Sequence, residues 1–314
     1  MLFWEKFVAV LEKTAFHEVF AMHFIKILKL NIMKNFQILF LCICSAIWGI
    51  AAGAGQGGES VHAQDFSRPN VGGTLYEENA NFRVNYKILE TAESAIVSSG
   101  KTLFCDGNIY DFVDNSDEVI VFNSKANKIY VLDVKERKKW QASPEEVEEY
   151  VSKIYRWGMS HPKAEIRQYF QPDFKINYEE EKEEYSFVSE NFSYFVTPKK
   201  PEKPEFLEKY RYFARWSCQT NMMLSPGSKT LYARSVVNET VFNAGFMIES
   251  LQLSIKNSKN PFAKPLVLLS EYQYLPRLVD NDLTTIRQVE DYLVLFRDGT
   301  LEDFQQKRLA KEKK

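Results

Sequence analysis

The chain has 314 residues, 45% hydrophobic and 26% charged, with a net charge of −2. That length and apolar content suffice for a sizeable core, and the near-neutral balance excludes a chain built to bind nucleic acid. Of four histidines only His161 lies beyond residue 63, which removes most His-based catalysis and zinc ligation.

Residues 1–32 mix Phe, Leu, Ile and Val with Glu5, Lys6, Glu12, Lys13 and Glu18, and show no polar helical face. They are expected to be an upstream extension or mis-start ahead of Met33, with a second hydrophobic helix as the alternative. Residues 33–63 read as a signal peptide: Lys34 precedes an apolar core from Ile38 to Ala52, and no charge occurs from Phe36 to Gly58. Small-x-small sites place cleavage after Ala63, or after Ala54. The expected location is secreted or periplasmic, with transient membrane contact through the leader. The alternative is an uncleaved anchor over residues 38–55.

Residues 64–81 read as a polar linker with Pro69 and Gly72-Gly73. An exported domain is expected over 82–299. Phe82, Val84, Tyr86 and Ile88 alternate with polar residues, the period of a half-buried strand. Residues 101–105 and 109–113 form a hairpin about Asp106-Gly107-Asn108, and residues 119–122 and 129–132 form another. Lys135 to Lys139 reads as a solvated turn. Ser143-Pro144-Glu145-Glu146 starts a helix, with a Ser cap, Pro at the first position and acids in the first turn. Gly158 is expected to end it, and His161-Pro162 to open a shorter one.

Strands follow at 174–178, 185–188 and 192–196. Pro198 to Pro204 reads as a stiff connector, either a subdomain boundary or a surface loop. An aromatic helix covers 206–224 and a second helix 231–242. Two strands, 246–255 and 265–274, pair before a helix over 282–296, and residues 300–314 read as a charged tail. Strand groups alternate with helix groups, so the expected class is α+β: a curved antiparallel sheet packed against several helices on one face, half-barrel-like.

Little here specifies chemistry. No G-x-S-x-G, Walker or dinucleotide spacing occurs. Oxygen-rich stretches at 106–108 and 111–117 are turn chemistry before they are calcium loops. The acids at 145–149 and 179–184 are abundant enough to supply a glycosidase pair and are ordinary hydrated surface. No catalytic residue, metal or cofactor is assigned. Sequons stand at Asn191 and Asn238. Cys42 and Cys44 fall in the leader, leaving Cys105 and Cys218 as one bridge or as two buried thiols. With 24 Phe and 16 Tyr, aromatic packing dominates the exported part. In the 206–224 helix, Phe206, Tyr210 and Phe213 share one face and Trp216 sits on another. Such a helix is deeply buried or lines an apolar pocket beside the sheet.

The stretches Ser99-Gly100-Lys101, Asp106 through Phe112, Glu118 through Phe122 and Val131-Leu132-Asp133 resemble a group of uncharacterised secreted bacterial proteins of planctomycete type, and that resemblance brings no activity. The order of hairpins, capped helix and further strands is similar, more loosely, to the periplasmic lipoprotein-carrier fold, an open half-barrel for acyl chains. It implies a lipid or hydrophobic-peptide ligand and transfers no site residue. The expected function is therefore a non-enzymatic envelope protein binding an apolar ligand between sheet and helices. A carboxylate-dependent secreted hydrolase and a membrane-anchored structural component are the alternatives.

Overall fold

Alternation builds the sheet. In β1 (Phe82–Glu90), Phe82 and Val84 point into a large core while Arg83 points to the opposite face. β2 (Ala95–Cys105) and β3 (Asn108–Val113) turn at Asp106 and Gly107, both with positive φ (49° and 82°). That pair of left-handed positions is what a tight two-residue hairpin requires, and Gly107 takes it without strain. β4 (Glu118–Asn123) and β5 (Lys128–Asp133) continue the meander.

The computed structural model describes residues 80–91, 95–227, 230–256 and 264–311, all within one compact unit. The leader, both cleavage sites and nearly all of the 64–81 stretch lie outside the described residues. Beyond β5 come β6 (Lys138–Ala142), α1 (Pro144–Ser160), α2 (Ala164–Phe170), β7 (Lys175–Glu179), β8 (Glu184–Val188) and β9 (Phe192–Lys199). Then follow α3 (Pro204–Leu224), α4 (Leu231–Asn243), β10 (Met247–Ile255), β11 (Leu266–Leu275), α5 (Asp280–Leu295), β12 (Arg297–Asp298) and α6 (Leu301–Lys311). The strands form one open sheet in the order β12-β6-β5-β4-β3-β2-β1-β11-β10-β9-β8-β7. Two antiparallel meanders join where β1 pairs with β11, and only the short β12–β6 pairing is parallel. Bulges after Ile88 and Ile248 bend the sheet. The class is α+β. Among the described residues no helix is long and apolar enough to cross a membrane.

Several expectations need correction. Helices cover both faces rather than one: α1, α2, α3, α4 and α6 pack in the large core, whereas α5 lays Ile286 and Val289 on Leu103, Tyr110, Val121 and Leu132 of the other face. Lys138 and Lys139 are not a solvated turn but begin β6, because their long side chains reach Asp303 and the Leu293 carbonyl. α1 runs through Gly158, which is buried because any Cβ there would overlap the Phe170 ring. Of the 198–204 connector, Pro198 and Lys199 belong to β9, which pairs with β10, and residues 200–203 are the loop that leads into α3. Finally, residues 301–311 are a docked helix with Phe304 and Gln305 buried, not a tail.

Candidate functional site

The aromatic helix α3 places its rings against the sheet. Phe206 stacks on Phe82 at 4.4 Å, and Phe82 stacks on Phe104 at 4.0 Å. Phe213 meets Phe104 and Phe122 edge-on at 5.9 and 5.7 Å. Tyr210 packs edge-on to Tyr274 at 5.4 Å, and the Tyr274 hydroxyl donates to the Ile248 carbonyl. Trp216 lies beside Tyr212, with the Arg215 guanidinium 5.1 Å from its ring centre. All four residues expected to line a pocket are buried. The first three are ring-on-ring core, and two recesses beside α3 are lined by other residues.

One of those recesses is built from three helices. The Ser143 hydroxyl accepts the Glu146 N–H and Glu146 reaches back to the Ser143 N–H, a reciprocal cap that fixes the start of α1. Helical spacing then puts Glu148, Val151, Ser152 and Tyr155 on one face. α3 contributes Gln219 and Met222, and α4 contributes Tyr232 and Ser235, each pair three apart. The Tyr232 hydroxyl donates to the Val151 carbonyl at 3.1 Å, tying α4 to α1. The recess encloses about 40 Å³, room for a few water molecules, beneath a wider open mouth. Glu148 in its wall is 3.5 Å from Arg215, so the charge there is neutralised. Gln219 is nine-tenths buried, and its Oε1 has no hydrogen-bond partner. A buried acceptor left unpaired costs about 1–3 kcal/mol. The second recess, lined by Cys105, Asn108, Lys209 and Tyr212 among others, lies where Lys209 bonds the carbonyl of Ala80 at the start of the described chain.

The nucleophiles are quiet. Cys105 and Cys218 are both free. Cys105 packs against the α5-side core and Cys218 sits in the large core, so the sheet lies between them. Burial, and for Cys105 also the charge of Asp106, pushes each thiol up to about 11. At pH 8 the thiolate fraction is then about 100-fold below that of an unperturbed thiol. Iodoacetamide is expected to label Cys105 and Cys218 of the native protein that much more slowly than glutathione; Cys105 reacting at the glutathione rate would contradict this. His161 is committed locally. Its ring lies edge-on to Trp157 and accepts the Lys163 N–H at Nδ1, and burial, then the Lys163 charge, holds its pKa below the ordinary value.

Acids of both stretches are likewise engaged. Glu145 accepts from Asn127, Glu149 pairs with Lys153 at 2.7 Å, and Glu179 pairs with Lys182 at 2.8 Å. The oxygen-rich 111–117 stretch is dispersed: Asp111 turns inward to Thr102, Asp114 accepts from Ser99 and Asp117 faces Lys307. Among the described residues no three His, Cys, Asp or Glu side chains converge to hold a metal ion. Asp111 is an acid whose perturbation was not expected: burial raises its pKa to about 6, against the opposing Thr102 hydrogen bond. The sequon asparagines are buried, Asn191 on Gln168 and Asn238 on Arg234.

No protein-family model matches this chain, and no curated protein matches it at significant similarity.

Proposed function

We propose that the chain is an exported, non-enzymatic protein of the cell envelope that works by holding a small ligand. The binding site is the recess between α1, α3 and α4. The observation that carries this reading is Gln219, a buried acceptor without a partner in the wall of a recess otherwise lined by Tyr155, Tyr232, Val151 and Met222. The lipid or hydrophobic peptide expected between α3 and the sheet finds that space filled by Phe82, Phe104 and Phe122, so the ligand's place moves one helix face away. The half-barrel likeness belongs to the same reading, supported by a continuous open sheet with five helices in its large core. Export rests on the basic-then-apolar leader.

A carboxylate hydrolase is the second reading, favoured by the raised pKa of Asp111. It ranks lower because the neighbouring acid Glu118 is clamped by Arg308 of α6, which leaves Asp111 without a free partner. The test is fractionation of producing cells, N-terminal sequencing and native mass spectrometry after mild purification. A chain beginning at Gln64 or Gly55, found outside the cytoplasm with a small-molecule mass attached, is the expected result. An intact polypeptide free in the cytosol would overturn export, and a mature protein carrying nothing would count against binding. A leader retained in the membrane fraction would favour an anchor over residues 38–55.

A further inference from the structure

We infer that the chain associates with a second copy of itself through the outer edge of β7, the two sheets joining across a twofold axis at Asn177. β7 is one margin of the sheet, and among the described residues only β8 pairs with it. The opposite margin is the two-residue β12, too short to receive a strand of this length. A free edge is a template for another strand, and proteins usually blunt it with proline, a bulge or an inward charge. β7, Lys-Ile-Asn-Tyr-Glu, has no proline and pairs with β8 without a register shift. No residue of β7 lines the recess between α1, α3 and α4, so the pairing stands whether or not that recess is occupied.

Charge complementarity names the occupant. With Asn177 opposite Asn177 in an antiparallel pair, Lys175 of each copy faces Glu179 of the other, and Ile176 faces Tyr178. Opposite charges directly across a pair of strands attract, and like charges there repel. Centring the axis on Ile176 sets Lys175 against Asn177 instead, and centring it on Tyr178 sets Glu179 against Asn177. Parallel, in-register stacking puts like charges together. Lys175 is exposed and has no ion-pair partner among the described residues. Glu179 already holds Lys182 at 2.8 Å in an exposed contact, and its carboxylate keeps lone pairs for a second ammonium. Tyr178 is 39% exposed, its ring 4.5 Å from that of Tyr185, and Ile176 of the second copy covers it. A five-residue strand pair buries less than a standard interface of about 1,600 Å², so the dimer is weak and reversible, with a dissociation constant of about 10–500 µM.

The experiment is sedimentation equilibrium of the exported full chain from about 5 µM to about 500 µM, a range that spans that constant. A reversible monomer–dimer equilibrium is expected. Lys175→Glu and Glu179→Lys each turn two attractions into two repulsions and should weaken the dimer about tenfold. The double variant Lys175→Glu/Glu179→Lys exchanges the charges and should return to within about threefold of the parent. Both positions are at the surface, so folding is kept in all three. Under oxidation by copper phenanthroline, Asn177→Cys is expected to link two copies, because Cα atoms paired on the axis lie about 4.5–5.5 Å apart, within disulfide reach. Ser186→Cys, on the same face one strand further in, lies about 15 Å from its copy and should stay unlinked. A chain that remains monomeric at the highest concentration, charge swaps without effect, or Ser186→Cys linking as fast as Asn177→Cys would overturn the pairing. Protection of β7 amides from hydrogen exchange in a chain that sediments as a monomer would assign the edge to another segment, and would likewise overturn the second copy.

Discussion

Deleting residues 300–314 is expected to lower the melting temperature by about 10–20 °C, a loss out of proportion to a charged terminal segment. The segment forms α6, and its side chains complete other elements. Phe304 is buried in the large core, a contribution of about 2 kcal/mol. Gln305 donates to the Met223 carbonyl at 2.7 Å, capping one of the orphan acceptors at the end of α3. Lys307 pairs with Asp133, and Arg308 pairs with Glu118 while also donating to Asn221 of α3. Without α6, Asp133 and Glu118 remain in a poorly solvated site without their counter-charges. Such a loss costs several kcal/mol when complete and less where water can enter. A total near 5 kcal/mol is on the scale of a whole domain's stability. At about 2–4 °C per kcal/mol for a domain of this size, the stated shift follows. Calorimetry of the truncated chain checks it; a melting point within about 3 °C of the parent would mean that α6 is ornamental.

The same helix shows what could and could not be read from residues alone. Hairpins were legible because their signals are local: alternation in β1, the Asp106-Gly107 turn, the Ser143–Glu146 cap. What was missed depends on partners far along the chain. Lys307 and Arg308 look like solvated charge until Asp133 and Glu118 are brought beneath them, 174 and 190 residues away. β6 was hidden by Lys138-Lys139, residues that a strand at the sheet margin tolerates because their ammonium groups reach beyond the strand. Gly158 reads as a helix stop by composition, yet it is kept by the Phe170 ring pressed against it. The candidate site was the least legible. The aromatic residues of α3 go to the core, as aromatic residues usually do. The residue that carries the functional reading, Gln219, is polar on a largely buried helix, and only the convergence of α1 and α4 gives that polarity a purpose.

Replacing Asp282 with Asn is expected to destabilise the protein by about 2–3 kcal/mol at neutral pH, lowering the melting point by about 5–10 °C. Asp282 is fully buried at the start of α5, where its carboxylate takes Lys101 at 2.9 Å, Arg83 at 3.1 Å and the backbone N–H of Val279 at 3.2 Å. It thereby fastens α5 to β1 and β2, on a face where the helix otherwise relies on a small core. The two cations keep about a quarter of their side-chain surface in water, which places the loss below that of a fully buried pair. Burial alone would push the Asp282 carboxyl up. The Lys101 hydrogen bond, the Val279 N–H and the charges of Lys101 and Arg83 outweigh it and hold the pKa below the ordinary aspartate value. A carboxyl lowered by folding contributes stability that is present above its unfolded pKa and lost as pH falls through its folded pKa. The difference between parent and variant should therefore be constant from about pH 5 to 8 and shrink below about pH 4. Hydrogen exchange should speed first in residues 280–295, because that helix loses its tether while the large core does not. A variant whose deficit persists undiminished at pH 3, or whose α5 amides stay as protected as the parent's, would show that packing of Ile286 and Val289 holds the helix without the buried acid.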